Sequence, residues 1–472
     1  MRRFFLCLLA AVIAAGWLRV LPESLWLDEC GTVFVVSGTW AELLSRQQIF
    51  VGSLPHLTVS WLLLQLFGFS EVLLRLPSLI AMSVAAALLF LYSRRHLGTD
   101  TAYLVVALFA VHGNMQAHGT ETRPYAFSVL FAAAALYFLD RWMWRGGIGY
   151  AVALGLAAGL LPANHLLAVT VLPILLLTAA AYRRRHPLSH YAALALSFAL
   201  PALLVIPTLN AFDDQGSVQL RNWLARPTLN TWLALYTHRA IFLPSLAAAA
   251  VAFVFTRPWQ WGRPQVPLPL LVNATGLGVV LPLIMFVLSR TGPVSIFTSR
   301  YMIAADIGII LLYALAVHGL HPPRARLAVA CSLLVLILGY TIVGGGIRRP
   351  FRSEDWRAAL HSLRGRAPTI AMQTGFVEGR DERWLRDPLK SRFLSAPAVV
   401  YPPGVSVTPL PYGLPATDGP YLAEFLEGAR GRPVGLIVFP GEKLKARFVQ
   451  AGFNLELVGN FGPLSTWIAT AN

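Results

Sequence analysis

Long apolar runs punctuated by short basic clusters fill the first 346 residues. A transmembrane helix needs about 20 mostly apolar residues, and runs of that kind predict helices near 4–21, 73–93, 102–118, 124–140, 148–164, 166–182, 190–209, 240–256, 267–289, 300–319 and 326–346. The expected fold is a polytopic α-helical membrane domain of about 11 spans over 1–346. The stretch LTVSWLLLQLFGF (57–69) is apolar but short, and reads as an interfacial helix within a long external loop, 22–72. After Gly346 the pattern changes. PTIAMQ and VGLIVFP read as strands, and RAALHSLRG, YLAEFLEGARG and GEKLKARFVQAG as helices, which predicts a small α/β domain over 347–472. Ser353, followed by Glu354 and Asp355, reads as a helix N-cap with first-turn acids.

Composition agrees: 56% of residues are hydrophobic and 13% charged, more apolar surface than a soluble domain covers. The net charge of +16 would suit nucleic acid, but the basic residues sit between apolar runs, as membrane topology requires. Placing the N-terminus in the cytoplasm puts Arg94-Arg95, Arg141 with Arg145, Arg183 to Arg185, Arg257 with Arg263, and Arg324 with Arg326 on the cytoplasmic side. The odd span count then makes 347–472 extracytoplasmic. The first segment lacks a small-residue cleavage site before ESLW and is expected to stay as a helix. Cys7, Cys30 and Cys331 have neither metal spacing nor an obvious pairing.

Half of the 22 acids lie after residue 350, so those in the membrane domain stand out. Asp28 and Glu29 follow the first span, Glu121 and Arg123 open another, and Arg300 with Tyr301 opens a late one. Ionisable groups converging at helix mouths on one face are candidates for function. Each also has a structural reading: a solvated acid pair for 28–29, a local ion pair for Glu121 with Arg123, and a snorkelling anchor for Arg300. His56, after Pro55, is a lone histidine of the kind that is often structural.

LWLDE after the first span, LFGFSEVLLRLPSLIA ending in RRHLG, the ETRPYAF turn, SRYMIAA and SEDWRAA together resemble the GT-C glycosyltransferases. The chain is most similar to the branch of protein O-mannosyltransferases and the bacterial aminoarabinose transferases acting on lipid A. The resemblance implies a bacterial-type inner (plasma) membrane enzyme. It would move a sugar from a polyprenyl-phosphate donor to an acceptor on the non-cytoplasmic face, usually with inversion. It implies that Asp28 is the catalytic base, with Glu29 beside it, and that Glu121 orients substrate or helps bind a divalent cation if one is used. His56, Arg123, Tyr125, Arg300 and Tyr301 are then expected to bind the donor phosphate or substrate. The chemistry fits independently, because an attacking hydroxyl needs a base and a departing phosphate needs cations. The sequence departs from its relatives in PHLTVSW and HGTETRPY, which leaves the sugar open.

Two other classes compete: a transporter or flippase of lipid-linked sugars, and a non-catalytic envelope assembly protein. A transporter is expected to place its ionisable residues near the bilayer midplane, and here the acids sit at helix mouths, Asp306 being the exception, about a turn and a half into its helix. Glycolipid, polysaccharide and protein acceptors all stay open.

Overall fold

The computed structural model describes residues 1–49, 53–206, 224–236, 245–248, 266–343, 352–413, 419–439 and 442–471, with isolated positions 209, 250 and 260–261. Among the described residues six helices are long and apolar enough to cross a membrane: Glu71–Leu97, Tyr125–Arg145, Leu188–Val205, Leu268–Thr291, Ser299–His318 and Arg324–Val343. Leu54–Phe67, Thr99–Val111, Ile148–Asn164 and Leu166–Tyr182 are shorter apolar helices. The first run forms Arg2–Ile13, continued by a π-helical turn, Ala14–Leu18. Of the eleven expected spans, six are matched in length by helices among the described residues. The helix expected at 240–256 lies largely outside the described residues.

One expected span is broken. The run 102–118 turns at His112, whose backbone is extended (φ −69°, ψ 119°), and resumes as the short helix Gly113–Gly119. An unbroken helix would offer the Ala110 carbonyl to residue 114. Here that carbonyl accepts the Trp17 indole N–H at 2.9 Å. The short helix then delivers Glu121 at its far end.

Side-chain contacts gather the basic clusters at one end of the bundle. Asp140 accepts from Tyr182 (2.5 Å), meets His96 at 2.8 Å and pairs with Arg95 at 3.3 Å, while Arg184 donates to the Met143 carbonyl at 2.8 Å. Nearby in the chain, Arg2 pairs with Asp100 at 3.3 Å and Arg326 donates to Thr101 at 3.3 Å. The cluster at Arg257 and Arg263 lies outside the described residues.

The C-terminal unit stands at the opposite end. Its strands are β1 (Thr369–Gln373), β2 (Ser406–Leu410), β3 (Val434–Val438), β4 (Phe453–Phe461) and β5 (Leu464–Ala471). They form one mixed sheet in the order β2-β1-β3-β5-β4. β1 runs parallel to β2 and β3, and β5 runs antiparallel to β3 and β4. All five residues of β3 are buried, as a central strand covered on both faces requires. The expected boundary at 346–347 lies outside the described residues.

This unit shares a core with the loop region 22–72 and the start of the helix after it. Leu25, Phe34, Leu54 and Leu74 join Trp356, Leu360, Phe393 and Val400 in one buried apolar cluster. Phe34 meets Phe393 edge-on at 5.8 Å. The helix Leu54–Phe67, over the stretch expected to lie at the interface, is tied to the same loop, because Trp61 Nε1 and Gln65 Nε2 both donate to the Gly38 carbonyl, at 2.9 and 3.0 Å.

The N-cap expected at Ser353 is displaced. Asp355 caps the helix Trp356–Ser362 by accepting from Ala358 N at 2.9 Å, and Glu354 turns back toward the membrane domain.

Candidate active site

Asp28 sits in the first turn of the helix Leu27–Val36. Its Oδ2 accepts from Arg300 Nη1 at 3.0 Å, and Arg123 Nη2 stands 3.9 Å away. The three side chains are 18%, 21% and 11% exposed, so the cluster is sheltered yet reachable. Arg300 comes from the 3-10 turn Ser299–Met302. That turn is held because the spans on either side cross at glycines: a Cβ on Gly308 would stand 2.1 Å from the Gly278 amide nitrogen. Small residues let membrane helices approach backbone to backbone in this way. Arg123 also donates to Thr32 Oγ1 at 3.2 Å, one turn along from Asp28.

Glu29 is wholly buried and faces away from this opening. Arg75, equally buried, grips both its oxygens, Nε to Oε1 at 2.8 Å and Nη2 to Oε2 at 2.5 Å. Thr122 N donates to Oε1 at 2.8 Å and Trp26 N to Oε2 at 3.2 Å. Arg75 in turn donates to the carbonyls of Val20, Leu21, Glu23 and Ser24. Both Glu29 oxygens, expected beside the base among the catalytic residues, are thus bonded on two sides, which ties the loop to the helix that carries Arg75. Burying such a pair is tolerable only because its polar atoms are satisfied.

Glu121 is 1% exposed. Its expected partner, Arg123, has turned to Asp28 and Thr32. Its own partners are His118 Nδ1 at 2.5 Å, Trp26 Nε1 at 3.2 Å and Arg352 Nη1 at 3.3 Å. Burial pushes its carboxyl up, but His118, Arg352 and Arg123 outweigh that and hold it at about 2. Arg352 was absent from the sequence candidates. It also donates to the carbonyls of Ala117 (2.9 Å) and Thr120 (3.3 Å), closing the end of the short helix.

Tyr125 and Tyr301 line the route past Arg300. His165 lies between them, its ring 5.7 Å from Tyr125 and 5.3 Å from Tyr301. A cleft lined by Ser128, His165, Ala168, Leu281, Arg300 and Tyr301 begins here. His56 is buried against Phe127, 5.6 Å between rings, with Ser60 Oγ at 3.5 Å from its Nε2.

Among the described residues no three His, Cys, Asp or Glu side chains are grouped as metal ligands. The donor chemistry also fits a dication poorly: Asp28 is flanked by two guanidinium groups, and the Glu121 oxygens face Arg352 and His118.

Residues 56–209 match the family described as dolichyl-phosphate-mannose-protein mannosyltransferase. A crystal structure of ArnT from Cupriavidus metallidurans in the apo state aligns with a TM-score of 0.59 at 13% identity, covering 98% of this chain and 97% of that one. The structure of ArnT from the same organism bound to undecaprenyl phosphate gives 0.57 at 14%, with the same coverage. At such identities the likeness concerns the fold. No curated protein matches the chain in sequence. The resemblance to the GT-C glycosyltransferases, in the branch of the protein mannosyltransferases and ArnT, therefore holds.

Proposed function

We propose that this chain is a membrane glycosyltransferase that moves a sugar from a polyprenyl-phosphate-linked donor to an acceptor on the non-cytoplasmic face, with inversion and with Asp28 as the base. The observation that carries the reading is the Asp28–Arg300 contact of 3.0 Å, with Arg123 at 3.9 Å, at the mouth of the bundle. Inversion by one displacement needs a base on one face of the sugar and a phosphate site on the other, and this cluster supplies a carboxylate and two cations within reach of one sugar ring.

In the step proposed, an acceptor hydroxyl oxygen attacks the anomeric carbon while Asp28 takes its proton. The bond from that carbon to the phosphate oxygen breaks, and its electron pair leaves on the phosphate. Arg300 and Arg123 meet the growing charge. Arg300 presents five N–H donors on a planar fork, so it can hold a phosphate oxygen while still orienting Asp28. The likeness of fold to ArnT, one structure of which holds undecaprenyl phosphate, supports a lipid phosphate as donor. Glu29 and Glu121 act by positioning. The sugar, hexosyl or pentosyl, and the acceptor, whether glycolipid, polysaccharide or protein, follow from neither the site nor the fold. The bacterial-type inner membrane, an N-terminus in the cytoplasm and an extracytoplasmic C-terminal domain are part of the same proposal.

The test is reconstitution of the purified protein in vesicles with a polyprenyl-phosphate-linked sugar. Acceptor-dependent release of free polyprenyl phosphate is the expected result. Movement of the intact donor across the bilayer without cleavage would favour the transporter reading instead.

A further inference from the structure

The segment leaving the last span reaches back to both catalytic loops. Glu354 Oε2 accepts from Leu27 N at 3.0 Å, across 327 residues of sequence. Leu27 is the first residue of the helix that carries Asp28, and its amide is one of the donors a helix start leaves without an intrahelical partner. Two positions earlier, Arg352 holds Glu121 and the end of the short helix Gly113–Gly119. Its backbone N–H donates to Glu23 Oε2 at 2.9 Å, and its guanidinium lies over the Trp26 ring at 5.7 Å. Further along, Arg357 N donates to Ser24 Oγ at 3.2 Å, and Tyr401 Oη accepts from Leu25 N at 2.9 Å. The loop residues 23 to 27 are thus hydrogen-bonded at four of their five positions, 23, 24, 25 and 27, to the C-terminal segment.

We infer that Glu354 and Arg352 are positioning residues for the transfer reaction: together they set the base-bearing helix against the Glu121 turn and couple the C-terminal domain to the base. The inference rests on the glycosyltransferase reading of Asp28. Glu354 is suited to the task because both of its bonds, from Leu27 N and from Trp356 Nε1 at 2.8 Å, end on one oxygen. Trp356 is fully buried in the core shared by the two units, so Glu354 is fixed from the domain side and fixes the helix on the membrane side. Burial and the nearby Asp28 charge push its carboxyl up, while Trp356 and Leu27 pull it down. Arg352, in turn, links Glu121 to Trp26, the residue just before the base-bearing helix. A small shift at either contact moves Asp28 relative to Arg300, and misplacement by about 1 Å can cost roughly 100-fold in rate.

The experiment compares Glu354→Ala, Glu354→Gln and Asp28→Asn in the full chain, measuring kcat, donor KM and binding of undecaprenyl phosphate alone. Glu354→Ala is expected to lower kcat by about 10- to 100-fold with donor KM and lipid-phosphate binding within about threefold. Glu354→Gln keeps an oxygen able to accept from both Leu27 and Trp356, and is expected to recover most of the rate. Full kcat in Glu354→Ala beside a dead Asp28→Asn overturns the inference while leaving the reaction standing. Equal loss in Glu354→Ala and Glu354→Gln also overturns it, since the hydrogen bond would then not be what matters. An active Asp28→Asn brings down the underlying reading itself.

Discussion

Asp28 and Arg300 meet at 3.0 Å across 272 residues of sequence. One lies at the start of the helix Leu27–Val36, the other in a 3-10 turn opening a late span. In the proposed reaction the first is the proton acceptor and the second a partner of the phosphate.

Arg300→Lys is expected to keep weak transfer, and Arg300→Ala to lose both donor affinity and turnover. A lysine retains the charge but not the fork that can serve Asp28 and a phosphate at once. Arg290, at the end of the preceding helix, is the control and is expected to tolerate alanine. Steady-state kinetics with lipid-phosphate binding checks this; an Arg300→Ala variant with parental binding and rate would make Arg300 an interfacial anchor only.

Arg75→Met is expected to destabilise the protein by about 3–5 kcal/mol, because it strands Glu29 as a buried charge without its bidentate partner. Replacing Glu29 and Arg75 together by apolar residues is expected to cost less than either single change. Thermal unfolding in detergent measures both, and a loss below about 1 kcal/mol for the single variant would mean the pair is not what holds the loop.

The contacts of Glu121 set an acid limit on stability. Its folded carboxyl, at about 2, lies below the ordinary value of 4.5, so the folded state holds its charge more readily than the unfolded one. The stabilisation is full above pH 4.5 and fades as pH falls toward about 2. Glu121→Gln is expected to be less stable at neutral pH and to show a smaller drop between pH 4.5 and 2. An unfolding midpoint with the same acid dependence in both proteins would contradict this.

The basic clusters share one end of the bundle, and the α/β unit stands at the other. A reporter fused after residue 349 is therefore expected outside the cell membrane and one fused near Arg184 inside. Both on the same side would contradict the proposed topology.

Much of the site was legible because charge is scarce in this sequence. Asp28, Glu121 and Arg300 each sit at the end of an apolar run, where an ionisable group is conspicuous. Arg75 was equally visible inside LRLPS, but its meaning depends on Glu29, 46 residues earlier, and nothing local links the two. The roles of Arg352 and Glu354 depend on partners 231 and 327 residues away, and the acids of SEDW had a sufficient local explanation as a cap. The turn at His112 was hidden because no proline marks it; a tertiary bond from Trp17 competes with the helix there. In the C-terminal unit, the runs TIAMQ and VGLIV announced β1 and β3, which are buried and continuous. The edge strand β2 (SVTPL) carries a proline and gave no such signal.

The measurement that bears most directly on the proposed reaction is the rate of acceptor-dependent polyprenyl-phosphate release by purified Asp28→Asn beside the parent protein. The substitution keeps the shape of the side chain and an oxygen for Arg300, and removes the charge and with it the basicity. A general base is worth about 10²–10⁴ in rate, so a loss of that size with unchanged thermal stability and lipid-phosphate binding is expected. Near-parental release by Asp28→Asn would contradict the account and remove Asp28 from the mechanism, leaving the proton of the acceptor to another group.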